Sequence, residues 1–137
     1  MVAPSLIAFD TNLVLRLLTN DDPDQARIVQ QRLLAAQEGR NQVFLPLIVL
    51  AEAGHVLAGP RYRLPRERIA DAIGALLATA VFVIERRDAV AAALGDYRGG
   101  EGSLADYLIG RCAEAAGAAI TLTFDRALHR HAGFSAP

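Results

Sequence analysis

The segment Ser5–Asp10 constrains the fold most. It is a short apolar run, Leu6-Ile7-Ala8-Phe9, that stops on a carboxylate and gives way to a helical pattern. A run with no polar alternation reads as a buried strand. The same unit recurs. Val43–Leu45, Val81–Ile84 and Ala119–Thr123 are further short apolar runs, each separated from the last by helical sequence. Strands alternating with helices of about 10–15 residues predict a parallel sheet covered on both faces, an α/β fold. In such open sheets ligands bind beyond the carboxyl ends of the strands.

The helices carry their own punctuation. Thr11–Thr19 offers Leu13, Leu17 and Leu18 to a core. Asp22 as N-cap and Pro23 at the first helical position open a helix to about Gln37, and Gly39 fits its stop. Pro46 opens a very apolar helix, Leu47 to Ala58, broken by Gly59-Pro60. Leu64-Pro65 opens Arg66–Thr79, with Ile69, Ile73, Leu76 and Leu77 at helical spacing. Asp88–Tyr97 is a helix and Gly99-Gly100-Glu101-Gly102 a loop. Ser103 caps Leu104–Ala116, Gly117 stops it, and Asp125–His131 forms a final short helix. No repeat or linker divides the chain, so residues 1–137 read as one domain.

Composition narrows the class. At 53% apolar residues the chain can bury a substantial core. Its apolar runs are far shorter than the roughly 18–20 residues that span a bilayer. Met1 leads into Leu6-Ile7-Ala8-Phe9 with no basic region before it, which does not read as a signal peptide. The lone Cys112 rules out an intramolecular disulfide and fits a reducing cytoplasm. A net charge of -1 excludes an overall basic field for nucleic acid. All 14 cationic side chains are Arg, which suits bidentate phosphate contact, although heavy Ala and Arg use also fits a GC-rich coding genome.

Four carboxylates stand out. Asp10 and Asp125 each follow an apolar run directly, at what should be strand ends of one parallel sheet, where neighbouring strands would bring them close. Each also reads as a helix cap. Glu52 lies in the almost wholly apolar helix, where a buried carboxylate needs a cation or donor. The other reading is a narrow exposed strip shared with His55, three residues on. Asp106 sits in the first turn after Ser103, where the helix dipole alone is a sufficient reason for an acid.

Four segments resemble the PIN domains, and most closely the VapC-type toxin ribonucleases of bacterial toxin–antitoxin pairs. They are Phe9-Asp10-Thr11-Asn12 with Asp21-Asp22-Pro23, then Ile48-Val49-Leu50-Ala51-Glu52, then Ser103-Leu104-Ala105-Asp106-Tyr107-Leu108-Ile109, and finally Leu122-Thr123-Phe124-Asp125-Arg126-Ala127-Leu128 with Gly133-Phe134. They run in the family's order along nearly the whole chain. The resemblance implies a PIN-like α/β/α sandwich with a short central parallel sheet. It also implies that Asp10, Glu52, Asp106 and Asp125 form an acidic cluster for Mg²⁺ or Mn²⁺. Asp10 and Asp106 would be the direct ligands, with Glu52 and Asp125 acting partly through water. Thr11, Asn12, Ser103 and Thr123 would orient them. Many relatives carry another acid where Ser103 stands, so one well-held ion is expected rather than two.

The implied chemistry is hydrolysis of RNA phosphodiesters by metal-activated water. Arg61, Arg63, Arg66, Arg68, Arg86, Arg87, Arg126 and Arg130 are the candidate cations for RNA. Arg126, beside Asp125, comes first, then Arg61 and Arg63. His55, His129 and His131 read as surface residues rather than metal ligands. Tyr62 and Tyr97 read as packing, with base stacking as the other possibility. The resemblance further implies a homodimer, a cognate antitoxin lying across the active-site groove, and operator DNA bound only through that antitoxin. Two other readings stand beside it. One is a catalytically silent binding module on the same fold. The other is a different Mg-dependent phosphoester hydrolase, such as a phosphatase with Asp10 as nucleophile. Asn12, where that chemistry expects a second Asp, weakens the latter.

Overall fold

Three parallel strands carry the core: Leu6–Ala8 (β1), Gln42–Leu45 (β2) and Phe82–Ile84 (β3), in the order β1-β2-β3. The structure is a computed structural model and describes residues 5–137. Met1–Pro4, on which the leader reading partly rests, lies outside the described residues. In the ladders Ile7 stands beside Val43, and Val43 beside Phe82. β2 is paired on both sides, with Val43 and Leu45 fully enclosed.

Each crossover carries two helices. Thr11–Leu18 (α1) and Pro23–Glu38 (α2) join β1 to β2; Leu47–Ala58 (α3) and Arg66–Ala78 (α4) join β2 to β3. Arg87–Gly99 (α5) and Leu104–Ala115 (α6) follow, packed against each other. The expected α/β fold is present, with six α-helices and a short parallel sheet among the described residues. The apolar periodicity accounts for the packing: Ile69, Ile73 and Leu76 of α4 are buried, as are Leu50, Ala53 and Leu57 of α3. Among the described residues no helix is long and apolar enough to cross a membrane.

The cap signals also hold. Asp22 accepts from Gln25 N at 3.1 Å, with Pro23 opening α2. Gly117, at φ 95°, ends α6: its N–H donates to Glu114 O, and that of Ala118 donates to Ala113 O. This paired arrangement satisfies the last carbonyls of the helix.

The carboxyl-terminal third departs from expectation. Its strand is only Thr121–Leu122 (β4), and it joins not the main sheet but a two-stranded parallel one with Phe134–Ser135 (β5). Asp10 and Asp125 therefore end strands of different sheets. β5 was not expected, because two residues carry no periodicity. The final helix is one 3-10 turn, Leu128–Arg130. β1, expected to be buried, is an edge strand with Leu6 58% exposed.

Asp21 ties the α1–α2 turn to the α3–α4 loop. It accepts from the Tyr62 hydroxyl and Arg61 Nη2, both at 2.6 Å, from Thr19 Oγ1 at 2.8 Å and from Arg16 Nη1 at 3.3 Å. The Tyr62 hydrogen bond, helped by Thr19, Arg16 and Arg61 against partial desolvation, lowers its pKa to about 2. A folded value below the unfolded one adds stability above the ordinary carboxylate range, and that stability is lost as pH falls towards 2. Tyr62→Phe is expected to move the Asp21 titration, followed by NMR of its carboxyl carbon, up towards about 4. The same change should shrink the loss of stability on acidification through this window.

Candidate active site

Asp10 is placed by the sheet. Phe9 N donates to Phe44 O at 3.2 Å, which carries the β1–β2 ladder one residue past the strand and leaves Asp10 at its carboxyl end. The chain then turns into α1, and Asp10 Oδ1 accepts from Leu13 N at 3.1 Å. It is both a strand end and a helix cap. Its Oδ2 has no partner among the described residues. Thr11 and Asn12 follow as the first residues of α1.

Glu52 sits on the second turn of α3 and is exposed, as is His55. The exposed-strip reading is therefore correct, and burial gives Glu52 no need of a cation. Most of α3 is apolar because it packs on both sides, against α1 and α6, while Ile48 shares the exposed strip with Glu52 and His55. At the α6 contact, a Cβ on Gly54 would lie 3.0 Å from Leu104 Cδ2 and 3.3 Å from Leu104 Cβ. The missing side chain at Gly54 lets the helix of Glu52 approach the helix of Asp106.

Asp106 and Ser103 form a reciprocal cap at the start of α6. Ser103 N donates to Asp106 Oδ2 at 2.8 Å, and Asp106 N donates to Ser103 Oγ at 3.1 Å. Two orphan helix donors are satisfied at once. Asp125 makes a comparable local turn: its Oδ1 accepts from Ala127 N at 3.0 Å, and its own N–H donates to Thr123 Oγ1 at 3.1 Å.

The sequence reading missed Glu85. It follows Ile84 at the carboxyl end of β3, and its Oε1 accepts from Leu47 N at 2.7 Å, capping α3, whose Pro46 cannot do so. The signal was available, since an acid directly after an apolar run is the same pattern that marked Asp10.

The cations divide. Arg61 is occupied by Asp21 and lies 5.1 Å from the Tyr62 ring centre. Arg63, at a left-handed φ of 49°, and Arg126 are exposed and have no ion-pair partner among the described residues. His129 and His131 are half-buried rather than surface groups. His129 Nε2 lies 2.7 Å from Thr123 O, and His131 meets Tyr107 edge-on at 5.1 Å. Tyr97 is buried and Tyr62 is bonded to Asp21, so packing describes both.

The donor set fits a hard divalent ion in kind: four carboxylates, all oxygen. Asp10, Asp106 and Asp125 each keep one oxygen outside their caps, and Glu52 keeps both. A Cβ on Gly102 would lie 3.1 Å from Asp106 Oδ2 and 2.6 Å from Leu128 Cδ2, in the turn that follows Asp125. Full convergence is absent: among the described residues no three acidic, His or Cys side chains group to hold one ion. A cavity of about 280 Å³, lined by Gly54, His55, Arg66, Tyr97, Gly102 and Ser103, lies between α3 and the start of α6. A larger one of about 440 Å³ lies around Asp96, Arg111 and His131, and neither cavity is lined by any of the four acids.

Ser103→Ala removes half of the reciprocal cap and is expected to cost about 1 kcal/mol in a denaturant titration. Asp106→Asn keeps an amide oxygen for Ser103 N and should cost less.

A family model described as the PIN domain matches residues 7–134, from β1 to β5, and takes in all four acids. Comparison with curated proteins finds no match.

Proposed function

The chain belongs to the PIN-domain family, and from that premise we propose that it is a divalent-metal-dependent endoribonuclease, the toxin of a type II toxin–antitoxin pair of the VapC kind. PIN domains are in general metal-dependent nucleases. The observation that carries the reading is that all four acids fall within the matched span and each keeps at least one carboxylate oxygen free of the protein's own hydrogen bonds.

Asp10 and Asp106 would hold Mg²⁺ or Mn²⁺ directly, with Glu52 and Asp125 completing the site partly through water. The ion supplies a lowered pKa for a bound water and a counter-charge for a phosphate oxygen. The chain supplies position. The Leu13 N–H fixes one Asp10 oxygen, Ser103 fixes one Asp106 oxygen, and Thr123 braces the Asp125 turn. Thr11 and Asn12 flank Asp10 at the same helix start. Glu52 or Asp125 would orient the attacking water. Arg126 and Arg63, free of ion pairs among the described residues, are the phosphate contacts this reading favours over Arg61.

The same reading includes a homodimer, an antitoxin across the active-site face with operator DNA bound through it, and a bacterial cytoplasm. Exposed apolar side chains support a protein partner: Ile48 at 75%, Leu122 at 60% and Phe124 at 89%. A silent binding module is the second reading, favoured by the capping roles of three acids and the absence of a three-acid group among the described residues.

RNA cleavage by the purified protein separates the two. With Mg²⁺ or Mn²⁺ present, cleavage is expected, with loss of activity in EDTA. Asp10→Asn should lose at least about 100-fold, beyond what removing an outer-shell support costs. Asn is an equally good N-cap, so stability should hold. Cleavage that survives both EDTA and Asp10→Asn would rule the metal chemistry out, and no cleavage under any condition would favour the binding module.

A further inference from the structure

Arg66 is among the cations that the sequence offers to RNA, but its guanidinium faces inward. Nη1 donates to Tyr97 O at 3.1 Å and to Gly102 O at 2.6 Å, and Nη2 donates to Glu101 O at 3.1 Å. Its central carbon lies 4.3 Å from the centre of the buried Tyr97 ring. One planar fork thus holds three carbonyls, one just before the glycine-rich segment 99–102 and two within it. From the other side Gly102 N donates to the Tyr107 hydroxyl at 3.1 Å, and Glu101 pairs with Arg130 at 3.8 Å. A segment with three glycines would otherwise sample many conformations.

What the clamp holds is Gly102. A Cβ there would lie 3.1 Å from Asp106 Oδ2 and 2.6 Å from Leu128 Cδ2, so the end of the Leu128 side chain would have to shift to admit it. Leu128 belongs to the Asp125 turn, since its N–H donates to Asp125 O at 3.1 Å. The α6 cap of Asp106 begins at the very next residue, Ser103. Gly102 is therefore the point at which the segments of two of the four acids meet.

We infer that Arg66, acting through Gly102, is a positioning residue for the metal-holding acids: it fixes the segment that sets Asp106 against the Asp125 turn. The inference rests on the nuclease reading for its ligand, but not for its test. Mn²⁺ binding is measured by the loss of the free-ion EPR signal in wild type, Arg66→Ala, Arg66→Lys, Gly102→Ala and the exposed control Gln31→Ala. Thermal unfolding and RNA cleavage are recorded on the same samples.

Arg66→Ala and Gly102→Ala are expected to weaken Mn²⁺ binding by about 10-fold or more while still folded. In cleavage, kcat should fall with little change in KM for RNA. Arg66→Lys should remain defective, because an ammonium cannot reproduce a planar fork to three carbonyls. Gln31→Ala should match wild type. Unchanged Mn²⁺ affinity in folded Arg66→Ala overturns the inference, as does a raised KM with intact Mn²⁺ binding, which would make Arg66 an RNA contact. If Gly102→Ala does not fold, Arg66→Ala still decides. Wild type that binds Mn²⁺ without cleaving RNA would defeat the nuclease reading, and the affinity comparison would still judge this one.

Discussion

A helix that starts directly after a strand leaves backbone N–H groups without partners, and that deficit organises this protein. Carboxylates meet it at α1 and α3, through Asp10 and Glu85, and Asp106 shares the cap of α6, which follows a loop rather than a strand. A negative group there gains both a hydrogen bond and the favourable end of the helix dipole. The same requirement places Asp10 and Glu85 where open parallel sheets bind ligands, beyond the carboxyl ends of the strands. Capping and cation binding are thus not rivals for a carboxylate with two oxygens. One oxygen anchors the side chain to the backbone and the other stays outward. The anchor limits rotation, which reduces the entropy lost when an ion is bound.

Much of this was legible because its signals are local. Asp22-Pro23, Pro46, Ser103 and Gly117 mark helix ends through the chemistry of a few adjacent residues, and each end lies within a residue or so of its expected place. The Val43–Leu45 run is enclosed as its apolar composition required. What was not legible depends on partners distant in sequence. β5 is two residues long and exists only because Gly133 turns Phe134 beside Thr121. The separation of β4 from the main sheet has no local signature either. Arg66 reaches carbonyls 31 to 36 residues away, and no pattern in the sequence announces a backbone acceptor. Glu52 left two readings open for a different reason: an apolar helix packed against two neighbours still leaves a narrow strip for an exposed acid.

Other carboxylates hold the frame of the fold. Asp21, outside the four acids, takes its depressed pKa from Tyr62 and its neighbours and ties two loops together. Asp96 is likewise held below its ordinary range, chiefly by the Arg111 guanidinium, and pins α5 to α6. Ion pairs and clamps of this kind keep the frame rigid, while the four acids themselves remain at the surface or half-buried, open to an ion and to substrate.

The central claim is that these caps double as cation ligands. It is tested most directly by the anomalous scattering of Mn²⁺ in crystals of the protein. The account predicts a peak within bonding distance of the outward oxygens of Asp10 and Asp106. A peak only elsewhere on the molecule, or none at millimolar Mn²⁺, would contradict it.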